Sequence, residues 1–168
     1  MPQDYDVKFN LDDCIKALGL DEKGRVQSFV TNEVLRLSKQ YDRIIVFYNF
    51  DYELDILKNI KFDPDVTVSE YNGHKHDPLP KTKKWIYLVN YMAGAEGWNC
   101  IDTNAMIFYS QNYSYRLLTQ AQGRIDRMNT PYTDLYYYHL KSSSSLDIRI
   151  ARAISYKQDF NEKSMELF

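Results

Sequence analysis

At 168 residues, with 44% hydrophobic and 26% charged residues and a formal net charge of -2, the chain has the make-up of one soluble globular domain with a core of its own. The charge balance carries no global sign of nucleic-acid binding, so any such contact has to rest on a local patch. Cys14 and Cys100 stand far apart with no CxxC or Cys/His cluster, which argues for reduced thiols and against a disulfide framework or a metal site. No run is long and apolar enough to span a bilayer, and the N-terminus carries no signal-peptide pattern.

Residues 1–19 show no dominant period, although 11–20 has the spacing of a short helix. Residues 22–40 are predicted helical, because Val26, Phe29, Val30, Val34 and Leu37 fall on one face. Asp21 is its candidate N-cap. RIIVFY, residues 43–48, is a continuous apolar run, the pattern of a strand buried on both faces. A helix over 51–59 follows, then a weak strand over 66–69 and a loop over 71–84 that holds Gly73, Pro78, Pro80 and several lysines. Strands are predicted over 85–89, 104–109 and 132–140, and helices over 113–125 and 145–160. Tyr136, Tyr137 and Tyr138 must alternate between the two faces of their strand. Strands and helices alternate along most of the chain, so the expected fold is α/β with a mainly parallel sheet and right-handed crossovers. In such sheets chemistry gathers beyond the carboxyl ends of the strands.

Two absences narrow the chemistry. The sequence has no GxxxxGK[ST] phosphate loop, and no apolar strand ends in Asp-Glu to hold magnesium. AGAEG, residues 93–97, has only GxxG spacing and lacks a long following helix to face a pyrophosphate. His74 and His76 have no third ligand nearby, so no metal site is expected. The informative run is QAQGRIDR, with Gln120, Gly123, Arg124 and Arg127. Arginines three apart share one face of a helix, and two guanidinium groups so placed suit phosphate oxygens. The plain alternative is a pair of surface arginines set against acids such as Asp126. Phe47, Tyr48, Phe50 and Trp98 are candidates for stacking on bases, with Phe47 more at home in the core. Lys75, Lys81, Lys83 and Lys84 form either a phosphate-contacting loop or a solvated one.

QAQGRIDR resembles motif VI of the second RecA-like domain of superfamily-two helicases and translocases. RIIVFYNFDYELDIL, residues 43–57, resembles motif IV of the Swi/Snf-type members, and AGAEGWN, residues 93–99, resembles their motif V. Order and spacing match that family over residues 26–157, where the tail from Ser145 resembles its closing helix. One departure stands out: Asn90 and Tyr91 occupy places where the family has Ser or Thr on the nucleic-acid backbone. The short stretch between motifs IV and V resembles compact phage-encoded members.

The resemblance implies a three-layer α/β/α RecA-like fold over residues 24–168, lacking its own Walker A loop, preceded by a segment or inter-domain linker over 1–23. It implies the C-terminal motor domain of an ATP-dependent DNA helicase or translocase. ATP would be held, with its magnesium, mainly by an N-terminal RecA-like partner domain. Arg127 and Arg124 would act as catalytic arginine fingers, and Gln120, Gly123, Gly97 and Asn99 would line the nucleotide side. For Gly97 and Asn99 a tight turn is the plain alternative. Tyr48, Asn49, Phe50, Asn90, Tyr91, Gly94 and Trp98 would face nucleic acid, DNA in preference to RNA. The setting implied is the cytoplasm of a bacterial host, and the chain alone should be inactive. The alternatives are a non-enzymatic RecA-like module that binds DNA or protein, and an unrelated α/β nucleotide-binding protein with a fortuitous QxxGRxxR. A phosphate loop encoded upstream would favour the motor.

Overall fold

Strands without a polar position must be covered on both sides, and that demand shapes the molecule. A computed structural model describes residues 2–9, 22–93, 100–110 and 114–142. Its strands are β1 (Pro2–Phe9), β2 (Arg43–Tyr48), β3 (Thr67–Tyr71), β4 (Trp85–Asn90), β5 (Ala105–Phe108) and β6 (Leu135–Ser142), and its helices α1 (Glu22–Gln40), α2 (Asp51–Lys58) and α3 (Tyr115–Gln122). The six strands form one wholly parallel sheet in the order β1-β6-β5-β2-β4-β3. The expected α/β architecture is what the chain adopts.

Strand alternation divides the core in two. Ile44, Val46 and Tyr48 of β2, with Ile86, Leu88 and Ile107, face Val34 and Leu37 of α1 and Leu57 of α2. Ile45 and Phe47, with Trp85, Tyr87, Met106 and Phe108, face the other way, against Ala121 of α3 and Ile125 beyond it. Helices therefore lie on both faces, giving three layers. The tyrosine run alternates as expected, with Tyr136 and Tyr138 on the α1 side and Tyr137 on the α3 side.

Element by element, α1 and β2 match the boundaries read from the sequence, while β3 runs two residues past its predicted end because its pairing to β4 continues to Tyr71. β6 starts later than predicted and continues to Ser142, in register with β1. The N-terminal segment adds a strand that the sequence pattern did not show. Its first residues, where no period was legible, form an edge strand, with every residue of Pro2–Phe9 paired in parallel to β6. Tyr5, Val7 and Phe9 do alternate with polar residues, but one exposed edge strand needs few apolar side chains and so leaves a faint pattern. The helix over 11–20, the cap at Asp21 and the closing helix from Ser145 fall outside the described residues. Among the described residues no helix is long and apolar enough to cross a membrane, and no group of His, Cys, Asp and Glu is placed to hold a metal ion.

Ile107, fully buried on β5, tests this core. Ile107→Ala should lower the unfolding free energy by about 2–5 kcal/mol, the usual cost of emptying a packed aliphatic site. Urea denaturation reads this directly, and an unshifted midpoint would be incompatible with a buried central strand.

Candidate nucleotide and nucleic-acid site

In a parallel sheet the loops after each strand emerge along one edge. Here the loops after β2, β4 and β5 are fastened to one another. Glu53, at the third position of α2, is only 4% exposed. Its Oε1 accepts the Asn49 and Phe50 backbone N–H groups at 3.0 Å each and the Ser110 hydroxyl at 2.9 Å. This is the backward half of a capping box, in which an acid at the third helical position satisfies donors before the helix; the phenyl ring of the Phe50 cap has no acceptor for the other half. Asn49 Nδ2 donates to Ser110 Oγ at 2.8 Å, and Asn90 Nδ2 donates to the Asn49 carbonyl at 3.1 Å. Asn90 Oδ1 in turn accepts from the N–H groups of Met92 at 3.0 Å and Ala93 at 3.3 Å, shaping the start of the glycine loop.

This network redefines the residues expected to face nucleic acid. Tyr48 is fully buried, and burial pushes its hydroxyl up to about 12, so its ring presents no face to a base. Tyr91 is also buried. Its hydroxyl donates to the Ser110 carbonyl at 3.2 Å, and desolvation followed by the Glu53 carboxylate holds its pKa well above that of a free phenol. The sheet is the reason in both cases: Tyr48 closes β2 under Val34, Leu37 and Leu57, and Tyr91, one residue past β4, packs beside Phe47 and Phe108 on the other face. Asn90 is half-buried with its amide turned into the loop, and Asn49 is half-buried against Ser110. Phe50 alone of the described set is open, 56% exposed, with its ring stacked on Tyr52 at 5.6 Å. Gly94, Gly97, Trp98 and Asn99 lie outside the described residues. Glu53, Ser110 and Tyr52 were not among the residues singled out from the sequence. For Glu53 a signal existed, an acid three positions after a helix cap.

The arginines also sit differently from expectation. α3 ends at Gln122 with Gly123 as its C-cap, so Arg124 and Arg127 belong to a chain of turns beyond the helix. The turns are held by Arg124 N–H to the Ala121 carbonyl at 3.1 Å and Arg127 N–H to the Ile125 carbonyl at 3.0 Å, with Ile125 buried as the anchor. The Cys100 N–H donates to the Arg124 carbonyl at 2.9 Å, which ties the exit of the glycine loop to the arginine turn. Arg124 is half-buried and Arg127 exposed. Desolvation and then the charge of Arg127 lower the pKa of Arg124. Gln120 is half-buried on the last turn of α3.

A polar pocket of about 420 Å³ lies at the opposite, amino-terminal end of the strands. Arg43 Nε and Nη1 there donate to the carbonyls of Lys83 at 3.1 Å and Asp102 at 3.3 Å, cross-linking the approaches to β4 and β5.

Fold and connectivity together define a RecA-like α/β domain. Among solved structures, the chain is similar to the one described as the C-terminal part of Fun30 ATPase domain, with a TM-score of 0.62 at 18% identity. The match covers 76% of this chain and 44% of that one, so the present chain spans less than half of the structure it resembles. No family model and no curated protein sequence matches the chain.

Gly123 has a right-handed φ of -65°. A methyl group there would meet the Thr119 and Gln120 carbonyl oxygens at 3.4 and 3.5 Å, ordinary contact distances. Neither strain nor internal crowding requires glycine. Gly123→Ala should therefore leave stability unchanged or raise it by up to about 1 kcal/mol, through a less flexible unfolded chain. Thermal unfolding measures this, and a fall in Tm would reveal a constraint on that backbone.

Proposed function

We propose that this chain is the C-terminal motor domain of an ATP-dependent DNA helicase or translocase, completed by an N-terminal RecA-like domain. The observation that carries the proposal is the arginine turn: QAQGRIDR stands at the end of α3 and is hydrogen-bonded to the exit of the glycine loop, on a RecA-like sheet that has no phosphate loop of its own. ATP would lie between the two domains, with the phosphates and magnesium held mainly by the partner.

Arg127, exposed and at the outer end of the turn, would reach the γ-phosphate as the main arginine finger. Arg124, half-buried and tied through its carbonyl to Cys100, would brace it or share the charge. Negative charge spreads over the phosphoryl oxygens as the terminal phosphate leaves, and fixed guanidinium groups stabilise that state more than the ground state. Gln120 would hold the helix end against the cleft, and Gly123 would leave room for the nucleotide. Gly97 and Asn99 would link the cleft to DNA, which would run along the Asn49–Phe50 loop and the glycine loop through Gly94 and Trp98. ATP supplies the free energy, and closure and opening of the two domains would turn hydrolysis into stepping.

Joined to its partner domain, Arg127→Ala should keep ATP binding within a few fold while DNA-stimulated turnover falls by about 10³ or more, the lower end of what arginine fingers contribute. Steady-state ATPase assays with and without DNA give the answer, and near-normal turnover would remove the arginine-finger role. The chain alone should show no ATPase; activity of the isolated chain that disappears with Arg127→Ala would refute the two-domain reading.

A further inference from the structure

One serine joins the three loops at the carboxyl edge of the sheet. Ser110 Oγ donates to Glu53 Oε1 and accepts from Asn49 Nδ2, while its carbonyl accepts from the Tyr91 hydroxyl. The loop after β2, the loop after β4 and the end of β5 therefore meet at a single residue. The carboxylate at the centre of this junction is nearly sealed from water, so its charge is stabilised by the donors that surround it. Two of those donors are the backbone N–H groups of Asn49 and Phe50, the loop placed above on the DNA path. Moving that loop must therefore move Glu53 or break its bonds. Ser110 also stands four positions before Ser114, whose hydroxyl accepts the Leu117 N–H at 3.2 Å and starts α3, the helix that ends at the arginine turn.

We infer that Ser110 and Glu53 are positioning residues that couple DNA binding at the Asn49–Phe50 loop to the arginine turn. The inference rests on the motor reading above. In this reading neither residue touches nucleotide or DNA. Glu53 fixes the shape of the loop, and Ser110 carries its position to the end of β5, four positions before the Ser114 cap of α3. Coupling of this kind requires a linkage that differs between the DNA-free and DNA-bound states. Hydrogen bonds to a buried carboxylate provide one, because in a low dielectric they are strong when made and costly when half-made.

The test uses the two-domain protein. Ser110→Ala removes the hydroxyl that bridges Glu53 and Asn49 but leaves the backbone bonds of Glu53 intact, so the domain should fold, as its Tm will report. Turnover without DNA and the KM for ATP should stay within about twofold, while the stimulation of kcat at saturating DNA should fall about fivefold or more, the scale of ordinary allosteric coupling. Ser110→Thr keeps a hydroxyl and should restore stimulation. Unchanged stimulation in Ser110→Ala would overturn the inference. A parallel fall of basal and stimulated rates would do the same, since that marks a general structural defect. Failure of the threonine variant to restore coupling would also count against it. Intact stimulation in Ser110→Ala beside its loss in Arg127→Ala removes the coupling and leaves the motor; turnover of the unmodified protein that ignores DNA removes both.

Discussion

The whole structure depends on burying a parallel sheet on both faces. β2, β4 and β5 have almost no polar side chains to show to water, so helices must cover each side. Parallel pairing forces the connections to cross back over the sheet, and α1 and α2 lie on one face and α3 on the other. All loops that follow strands then open along one edge. The proposed site lies along that edge, where the buried central strands end.

That edge creates an electrostatic demand of its own. The strand ends leave backbone N–H groups and side-chain amides close together and partly out of water, and one carboxylate satisfies several of them. Glu53 holds the turn into α2, Ser110 joins that turn to β5, and Asn90 and Asn49 carry the connection to β4. The arginine turn is held more simply, by its own turns, by buried Ile125 and by one bond to Cys100. The edge thus combines a stiff, cross-linked part beside the proposed DNA path with a part whose cations are only partly sheltered. Such a division suits a site in which one side senses and the other is completed by a second domain.

Legibility in the sequence followed the strength of the local signal. RIIVFY announced a central strand because five apolar residues in a row, Ile44 to Tyr48, admit few other placements, and the helix over 22–40 followed from a sustained apolar face. β1 was missed because an edge strand buries little, and the reach of α3 was overestimated, since the helix ends at Gln122, three residues before the predicted end. Among the site residues, the arginine pair and its glycine were visible as a motif. Tyr48 was a stacking candidate from its place at a strand end and Tyr91 a nucleic-acid candidate from its place in the motif resemblance, whereas both are buried, Tyr91 with its hydroxyl on the Ser110 carbonyl.

By itself, then, the sequence determined the alternation of strands and helices, the parallel α/β class, the missing phosphate loop and the presence of QAQGRIDR. Those properties are local, written in residue type and spacing. Only the tertiary structure decided that Pro2–Phe9 joins the sheet, that Arg124 and Arg127 sit on turns rather than on a helix face, and that Glu53 and Ser110 tie the loops together. Glu53 and Ser110 stand 57 positions apart. No periodicity or short motif records a contact over that separation; it exists because β2 and β5 lie side by side in the sheet.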